Sequence, residues 1–566
     1  MRHAHSQRGV MLLTALFTVT LVAIYLSVTM TRTLVESQAA TRYADMAQVF
    51  SVAEGAIDNG IAAVKNQFLT TGQFPATANP QDPTNTIIPI QLPQSFAGYS
   101  FDTSQAPYVT YDVQPANVVF QSGPFQGMSG RTATIRVNAE AVSDRTQART
   151  RLVQTFQLQS TGIFQFAIFF DGLLRLTPGP PMLLTGTIRS NSDILTNHTD
   201  LNGPFQIDGI VQAAGSIKHN NPNKYGDVQI KDANGVFQSM CLANCGTPQS
   251  QWLDSTHPQW TAMSQARWGG TVKDKTHGIS PVKLPLPEGL ANPIDLIKQG
   301  QTNDSQVLKA NRFYYKAGLR IIEGLPEGIP LSSLPADTIT RKSFFDLREN
   351  RKMFVTEIDI AKLRTSGKSP QNGILYVATN GPGEAVRLVN GSCLPSTGLT
   401  VATENPLYVK GDYNTGGAGC SGGKKPAALM SDALTVLSVN WPDPQGKTKI
   451  SDRKVQVSNT TMNAAVMTGI SPITSDSNPG SEADLVNFLR FLEDWSGRTM
   501  TYRGSLINFW VSEKAKGALF GGQSPFQYRS PPKRDYGFDT SFLQVLPPGS
   551  PQVFYLVPGF WQQQED

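Results

Sequence analysis

The sequence predicts a mainly β protein of the α+β kind, with a long N-terminal helix, a small antiparallel sheet and a large β-solenoid-like region with insertions. Gly (49) and Pro (38) are plentiful while charged residues make up only 16% of the 566 residues. This composition favours strands and turns over charged helices. A long uncharged run opens the chain, and alternating apolar residues follow it. The length predicts about two to four domains.

The first feature is the uncharged run over residues 10–31. Its length is about what a helix needs to cross a ~30 Å hydrocarbon core. Arg2 and Arg8 precede it, so the positive-inside rule keeps the short leader (1–9) in the cytoplasm and places the remainder outside. A cleaved signal peptide has a shorter apolar region and a small-x-small site, and this run fits neither. The run therefore predicts a transmembrane helix.

Helical spacing continues over residues 32–70. Apolar residues recur there at mostly three- and four-residue steps, namely Ala39, Tyr43, Met46, Phe50, Ala53, Ile57, Ile61, Val64 and Phe68. This stripe predicts an amphipathic continuation of the helix. Charged residues can face away from it: Arg32, Glu36, Arg42, Asp45, Glu54 and Asp58. The whole helix would be a rod of ~90 Å, longer than a plain anchor needs but suited to side-by-side packing in a filament.

The leader ending in SQRG, the uncharged helix and the later FSVAEGAIDNGI resemble the N-terminus of type IV prepilins, and most of all the PilX-type minor pilins. The resemblance covers about the first seventy residues. It implies that a prepilin peptidase cleaves after Gly9 and that Val10 becomes a methylated N-terminus. The residues that it places in the membrane and in helix assembly are Leu12, Leu13, Thr14, Leu16, Phe17, Leu21 and Ile24.

The resemblance also implies partners and a location. The partners are the bacterial inner membrane, other pilin subunits, the pilus assembly machinery and the peptidase. The C-terminal region would be periplasmic, or extracellular within a pilus.

Major pilins carry glutamate at the fifth mature position, where it offsets the buried terminal amine, but this sequence has Thr14. Because an uncompensated ammonium in an apolar core is costly, this departure indicates a minor or terminal subunit. Val10 also departs from the usual Phe or Met.

Residues 71–160 predict a pilin-like antiparallel head. Apolar residues alternate along RTATIRVNAEAV, at Ala133, Ile135, Val137, Ala139 and Ala141. Leu152, Phe156 and Leu158 continue the pattern after a turn near 143–147. Alternation on both sides of a turn predicts a hairpin with one buried face.

The remainder predicts interrupted solenoid rungs. Gly203, Gly209 and Gly215 are six residues apart, with Ile207, Ile210 and Ile217 among them, as expected of short strands with a turn at each corner. The predicted parts are a first solenoid segment (161–237), an insertion (238–370), a second solenoid segment (371–475) and a C-terminal helix with strands (476–566). A twisted β-sandwich is the alternative. The helix is expected over 482–495, with Leu485, Phe488, Leu489 and Leu492 on one face.

Four cysteines form two local pairs, Cys241 with Cys245 and Cys393 with Cys420. This pattern favours two short-range disulfides in an oxidising compartment. A zinc site and free thiols are the alternatives, although the spacing matches no familiar zinc motif. Trp252, Trp260 and Trp268 lie within seventeen residues in the insertion. Core packing is favoured for them over a carbohydrate- or partner-binding surface.

The sequence predicts no catalytic residues, no metal and no cofactor. Asp171, Asp193 and Asp208 fit turn positions, although a glycosidase on a β-helix also uses clustered acids. Asp476, Asn478 and Glu482 could bind calcium, but a helix-capping turn is favoured.

The leading hypothesis is a non-enzymatic minor pilin with a β-rich exterior for assembly or adhesion, including a possible surface or carbohydrate ligand. An exported polysaccharide-acting enzyme and a pseudopilin of a secretion machine are the alternatives. A net charge of +5 without a basic block argues against nucleic acid.

Overall fold

The computed structural model describes residues 4–71, 74–75, 88, 95–101, 108–120, 129–219, 224–247, 251–282, 292–417, 419–472, 483–517, 519 and 527–564. The helices are α1 Ala4–Thr71, α2 Trp260–Trp268, α3 Gln306–Asn311, α4 Phe313–Lys316, α5 Ile360–Thr365 and α6 Leu485–Phe488. Strands account for most of the remaining regular secondary structure. The predictions of a long N-terminal helix and of a mainly β chain are therefore confirmed.

The strands in the first half of the chain are short after β5. They are β1 Ser95–Phe96, β2 Tyr99–Phe101, β3 Tyr108–Val119, β4 Ser129–Ser143, β5 Arg149–Gly162, β6 Ile168–Phe170, β7 Leu174–Leu176, β8 Met182–Thr185, β9 Ile188–Ser190, β10 Ile194–Thr196, β11 Phe205–Asp208, β12 Val211–Ala213, β13 Ile217–His219, β14 Val228–Lys231, β15 Phe237–Ser239, β16 Cys241–Ala243, β17 Gln251–Trp252 and β18 Val272–Lys273.

The strands in the second half are longer on average. They are β19 Leu319–Ile322, β20 Leu325–Pro326, β21 Ile339–Asp346, β22 Arg351–Asp359, β23 Ile374–Ala378, β24 Glu384–Gly391, β25 Leu399–Ala402, β26 Leu407–Tyr413, β27 Ala427–Ser431, β28 Leu434–Leu437, β29 Thr460–Thr468, β30 Arg490–Phe491, β31 Thr499–Asn508, β32 Lys533–Phe538 and β33 Gln552–Gln564.

The chain divides into two compact units. The helix unit comprises Met1–Ala116, Thr132–Gln159 and Tyr555–Asp566, and the ladder unit comprises Asn117–Arg131 and Ser160–Phe554. In the helix unit, the strand order is β1-β2-β4-β5-β33, with β3 also paired to β4. The strands β1, β2 and β4 pair in antiparallel fashion. The sequence predicted antiparallel pairing in this part of the chain, and its assignment as a pilin-like head stays a prediction.

Local sequence patterns explain the core of the helix unit. The alternating residues of β4, from Ala133 to Ala141, are all fully buried. One face of α1 is also buried, through Val49, Ala53, Ile57, Val64 and Phe68. Their spacing of four or seven residues places them on one side of the helix. Three expected members of this stripe, Ala39, Tyr43 and Met46, remain exposed instead.

Asp45 corrects the sequence prediction, which placed it on the solvent side of α1. Its side chain is only 4% exposed. Its carboxylate forms an ion pair with Arg145 and accepts a hydrogen bond from the hydroxyl of Ser143 at 3.1 Å. Arg145 lies 100 positions away in the chain. Since the neutralising partner is so distant, helical spacing could not have indicated that Asp45 is buried.

Parallel pairing dominates the ladder unit. One continuous parallel row runs β19-β23-β25-β27-β29-β31-β6-β9-β12-β18. A second row runs β22-β24-β26-β28-β30, and two shorter rows are β7-β10-β13 and β8-β11-β14. Antiparallel additions are local, such as β15 on β14 and β21 on β22.

The sequence explains the burial and the close corners of these rows. All five residues of β23 and of β27 are buried, as expected for parallel strands that are covered on both faces. The corner at Gly209 has no room for a side chain, because a Cβ there would lie 2.0 Å from the carbonyl oxygen of Gly186. Glycine at this position therefore permits the close approach of two backbone turns.

The prediction of a helix over residues 482–495 is wrong about its length. Within the described residues 483–495, only Leu485–Phe488 is α-helical, as the single turn α6. The carboxylate of Asp484 caps this turn by accepting the backbone N–H of Val486 at 3.1 Å. Arg490 and Phe491 then pair in parallel with β28. The apolar spacing was compatible with a helix, but long-range strand pairing determines the backbone here.

The tryptophans of the insertion serve the core. Trp260 and Trp268, at the two ends of α2, are 3% and 0% exposed. Trp252 is partly buried and stacks on the ring of His219 with 3.7 Å between the ring centroids. Burial lowers the pKa of His219 to about 4, which keeps the stacked imidazole neutral at physiological pH. The preference for core packing is thus confirmed for Trp260 and Trp268.

Candidate functional site: the exposed apolar segment of α1

Residues 10–31 of α1, named the anchor segment here, carry the most exposed apolar surface in the helix unit. Among the described residues, α1 alone is long and apolar enough to cross a membrane, judged by length and composition. Its predicted membrane and assembly residues are all exposed: Leu12 75%, Leu13 72%, Leu16 69%, Phe17 66%, Ile24 56% and Leu21 51%. Such a continuous exposed apolar surface marks an interaction site.

The predicted cleavage position lies at the start of this segment. Gly9 and Val10 are exposed within helical backbone, and Val10 is 62% exposed. A Cβ built on Gly9 would meet no atom within 4 Å. Space in the folded chain therefore does not explain why glycine stands at position 9, and an alanine would fit there without strain.

Five threonines are the most numerous polar residues of the anchor segment, and each of their hydroxyls bonds to a carbonyl within the helix. Thr14 donates to the carbonyl oxygens of Val10 and Met11, at 2.8 and 3.0 Å. The other four threonines donate to the carbonyl one turn earlier: Thr18 to Thr14, Thr20 to Leu16, Thr29 to Tyr25 and Thr31 to Ser27. Polar groups in hydrocarbon must find internal partners, and such back-bonding provides them.

Charge begins directly after this segment. Arg32 and Glu36 form an exposed ion pair one turn apart, with 2.9 Å between Nε and Oε1. Beyond it, α1 still exposes apolar side chains, notably Leu34 and Val35 at 58% and Tyr43 at 74%. The first face of α1 that is buried by its own unit begins near Asp45 and Val49. The exposed apolar surface is therefore longer than the uncharged run.

The four cysteines, which the sequence predicts to form two disulfides, lie in the ladder unit. Cys241 is bonded to Cys245 and Cys393 to Cys420, with Cα–Cα separations of 5.8 and 5.1 Å. No cysteine is free among the described residues. The second bond links the end of β24 to the loop after β26 and so closes a long loop, which limits the conformations of the unfolded chain.

The candidate glycosidase acids bond to residues in the next part of the chain. Asp171 accepts a hydrogen bond from the amide of Asn191 at 2.7 Å, and Asp193 from the backbone N–H of Ser216 at 2.7 Å. Asp208 forms an ion pair with Lys231 at 2.7 Å. The partners lie 20, 23 and 23 residues further along the chain, in keeping with a structural role. The predicted calcium ligands, Asp476, Asn478 and Glu482, lie outside the described residues.

Two features of the structure were not predicted from the sequence. The threonine back-bonds could have been found, because Thr or Ser inside an apolar run of helical length has few other partners. A polar cavity in the ladder unit could not have been predicted, because the residues of its walls are spread over positions 349–517 and only the fold brings them together. Among the described residues, no group of three or more His, Cys, Asp or Glu side chains could hold a metal ion.

Comparisons with known proteins add little. No protein-family model matches the sequence, and no curated protein matches it. Among solved structures, the crystal structure of the competence-associated pilin ComZ from Thermus thermophilus is similar at 10% identity, over 92% of this chain and 97% of that chain, with a TM-score of 0.24. A similarity at that score carries no functional inference for this chain.

Proposed function

We propose that the chain is a membrane-anchored, non-enzymatic minor pilin of the PilX type, a subunit of a type IV pilus or a related filament. The single observation that carries this proposal is the anchor segment: an apolar, fully exposed stretch continuous with a helix whose later part packs into an antiparallel head. At 68 residues, α1 is about 100 Å long. The hydrocarbon core of a membrane would cover only about 20 residues of it.

The apolar residues beyond the membrane span support a filament rather than a plain anchor. Leu34, Val35 and Tyr43 would stand in water if α1 only tethered a soluble domain. Neighbouring helices of other subunits would cover these side chains and so remove their apolar area from water. In this proposal the inner membrane, the other pilins and the assembly machinery are successive partners of one helical surface.

Thr14 supports a minor or terminal position. Its side chain is neutral and cannot offset the charge of a terminal amine, and its hydroxyl donates to the carbonyl of Val10 instead. A bulk subunit would bury that amine repeatedly along the filament, whereas a terminal or priming subunit would do so once. The ladder unit would then be the exterior of this subunit, periplasmic before assembly and extracellular after it.

We also propose that the parallel rows of the ladder unit form a β-solenoid with the predicted parts 161–237 and 371–475 as its rungs. The support is the regular pairing of alternate strands, β23 with β25, β25 with β27 and β27 with β29. Such stacking leaves long, rigid faces for contact with other molecules.

Mass spectrometry of the mature N-terminus tests the proposed function. The full chain is expressed in a bacterium with an active prepilin peptidase and purified from membranes. We expect a chain that begins at Val10 with a methylated amine. In Gly9→Ala the leader should stay attached, whereas Gly55→Ala should be processed normally. The two glycines are matched, since a Cβ at either position meets no atom within 4 Å. Recovery of wild-type protein with residues 1–9 intact would overturn the proposal.

A further inference from the structure

A groove lined by arginines and by one apolar wall lies between α1 and the strands β4 and β5, and it is named the arginine groove here. Its walls come from α1, from Glu140 of β4, from residues 147–151 and from Gln563 of β33. All of these residues belong to the helix unit. The volume is about 820 Å³, which lies within the range of ligand sites in proteins.

Cations outnumber carboxylates in the arginine groove. Arg42, Arg149 and Arg151 line it, together with a single acid, Glu140. The charged atoms of Arg149 and Glu140 are 3.7 Å apart, whereas a close hydrogen bond between charged groups measures about 2.7–2.9 Å. One carboxylate does not balance three guanidinium groups, so the described lining has a net positive charge.

Two of these arginines are accessible to a ligand. Arg42 is exposed and has no ion-pair partner among the described residues. The side chain of Arg149 is 52% exposed. The planar guanidinium group presents its donors in a fork that matches the two oxygens of a carboxylate or a phosphate. The groove therefore favours a ligand that carries an anionic group.

The wall that α1 contributes is apolar beyond Arg42. Met46 is 40% exposed, and Ala47 and Phe50 continue this wall along the helix. The ring of Phe50 is also in contact with the ring of Trp561 in β33, with 5.2 Å between the ring centroids. A ligand that fills the groove removes this apolar surface from water if it carries an apolar group beside its anionic group.

The position of the groove along α1 disfavours a lipid headgroup. Arg42 lies 11 residues after Thr31, the last residue of the anchor segment. At a rise of about 1.5 Å per residue, this separation is ~16 Å along the helix axis. The headgroup layer on each side of a bilayer is only about 5–8 Å thick. If the anchor segment spans the membrane as proposed, the groove lies in water beyond the headgroups.

Nucleic acids and other phosphate polymers also match the groove poorly. Such polymers bind through many phosphate contacts along an extended basic surface. The arginine groove instead combines a few cations with an apolar wall and one carboxylate. A peptide segment matches both parts of it, because one side chain supplies a carboxylate and its neighbour supplies an apolar group.

We propose that the arginine groove binds an acidic peptide segment of a partner protein, with carboxylates of the segment paired to Arg42 and Arg149. An apolar side chain of the segment lies against Met46 and Phe50. This inference goes beyond the proposed function, because it assigns a binding site in the helix unit to a partner of stated chemistry. Only the exclusion of lipid rests on the proposed membrane span, and binding does not require entry into a filament.

Titration calorimetry on the full chain in a zwitterionic detergent tests the inference. The probe is a short blocked peptide in which glutamates alternate with leucines. Two matched peptides carry glutamine or lysine in place of each glutamate. We expect saturable binding of the glutamate peptide, weakened by added salt, and none of the other two. Arg42→Gln and Arg149→Gln should each weaken binding by roughly tenfold, the effect of losing a hydrogen bond to a charged group.

Glu140→Gln should change the affinity in the opposite direction. It removes the one carboxylate of the described lining, so the glutamate peptide should bind several-fold more tightly. A loss of structure would weaken binding and could not produce this result. Arg32→Gln is the matched control, because Arg32 is an exposed arginine of α1 that pairs with Glu36 outside the groove, and the affinity should not change.

The urea midpoints of Arg42→Gln and Arg149→Gln should equal that of the wild type, because both side chains are exposed. The proposal is overturned if the glutamate peptide does not saturate the wild-type chain by roughly 20 mM, a concentration that would detect millimolar affinity. Equal binding of the glutamine peptide, or unchanged affinity in both arginine variants, would overturn it as well. Leader processing is measured separately by mass spectrometry, so failure of the proposed function and failure of this inference are distinguishable.

Two other occupants are outcomes of the same experiment. Soluble short-chain phosphatidylglycerol is the probe for a lipid, and its displacement of the peptide in a manner that requires Arg42 would overturn the proposal. Glu565 and Asp566 follow β33 in the sequence and lie outside the described residues. If the glutamate peptide binds only to the variant Glu565→Gln/Asp566→Asn, the groove is filled by acids of this chain, and the proposal of a partner is overturned.

Discussion

The anchor segment and the ladder unit satisfy polar side chains in opposite ways. In the anchor segment, hydroxyls bond to carbonyls of the preceding turn, as Thr29 does to Tyr25 at 2.9 Å. In the ladder unit, buried polar groups bond across long stretches of chain. Glu493 accepts from Ser438, 55 positions away, and Asp432 accepts from the N–H of Ala515, 83 positions away.

This difference follows from what surrounds each region. A helix that enters hydrocarbon must satisfy its polar groups before any partner arrives, so only local bonds are dependable. The ladder unit is assembled once in water, and its buried groups obtain partners from the completed fold. Loss of one polar group should therefore cost little in the anchor segment and much in the ladder unit.

The largest effect is expected for Arg490→Met in the ladder unit. This change removes the close cation partner of the buried Glu349 carboxylate, whose other paired cation, Arg351, is 3.9 Å away. Breaking a buried pair from one side costs about 3–5 kcal/mol. Urea unfolding of the full chain, followed by tryptophan fluorescence, would measure the loss.

Arg503→Met is the control for this experiment. Arg503 pairs with Asp535 at 2.9 Å, but their side chains are 39% and 50% exposed. An exposed pair contributes about 1 kcal/mol or less. Equal losses in the two variants would contradict the view that buried long-range pairs stabilise the ladder unit.

Second, we expect the buried carboxylates of Asp45 and Glu493 to contribute to folding stability with opposite dependence on pH. Hydrogen bonding to the Arg145 guanidinium is the main cause that lowers the pKa of Asp45. Asp45 should therefore stabilise the helix unit above the ordinary Asp pKa of about 3.9, and the contribution is lost as pH falls through the lowered value. Burial raises the pKa of Glu493, so its charged form costs stability as pH rises from about 4.3 through the raised value.

The variants Asp45→Asn and Glu493→Gln test whether the two charged carboxylates contribute to stability with opposite signs. At pH 7, Asp45→Asn should be less stable than wild type, and Glu493→Gln more stable. The Glu493→Gln difference should shrink towards pH 4 as Glu493 becomes protonated, whereas the Asp45→Asn difference should persist to about pH 4 and shrink only below it, as pH falls through the lowered pKa of Asp45. Unfolding midpoints from about pH 2 to about pH 7 would measure both differences. A change of the same sign in both variants would show that the assigned causes are wrong.

The parts of the fold that could be predicted from the sequence are those with local signals. The anchor segment, the buried residues Ala133 to Ala141 of β4 and the strand β31 all follow from runs or alternation within a few residues. Strand partners do not follow from such patterns. β31 pairs in parallel with β6, matching Leu506 with Ile168, and no short-range pattern encodes that pairing.

The errors have the same origin. Residues 482–495 have helical apolar spacing, but Arg490 and Phe491 join a strand row instead. Asp45 looks solvent-facing until Arg145 is brought to it. The acids that line the polar cavity of the ladder unit are unremarkable one by one, since only the fold places Glu384 beside Glu404. Cleavage after Gly9, in contrast, was predicted only from the resemblance to type IV prepilins, and the structure offers no steric reason for a glycine at this position.

The smallest effect is expected for Thr14→Val in the anchor segment. Valine has a similar shape, and removal of a hydroxyl that bonds only within the helix should change the stability of the inserted helix by less than about 0.5 kcal/mol. Thr468→Val is the matched substitution in the ladder unit, where the fully buried hydroxyl donates to the carbonyl of Ser431 at 3.1 Å. It should cost about 1 kcal/mol.

Carbonate extraction of membranes would measure anchoring for Thr14→Val, and urea unfolding would measure stability for Thr468→Val. If Thr14→Val still anchors normally but fails to enter filaments, its hydroxyl must bond to another subunit rather than to Val10. The anchor segment would then depend on long-range partners as the ladder unit does. If it both anchors and assembles, the local bond to Val10 is sufficient, and the contrast between the two regions extends to the assembled state.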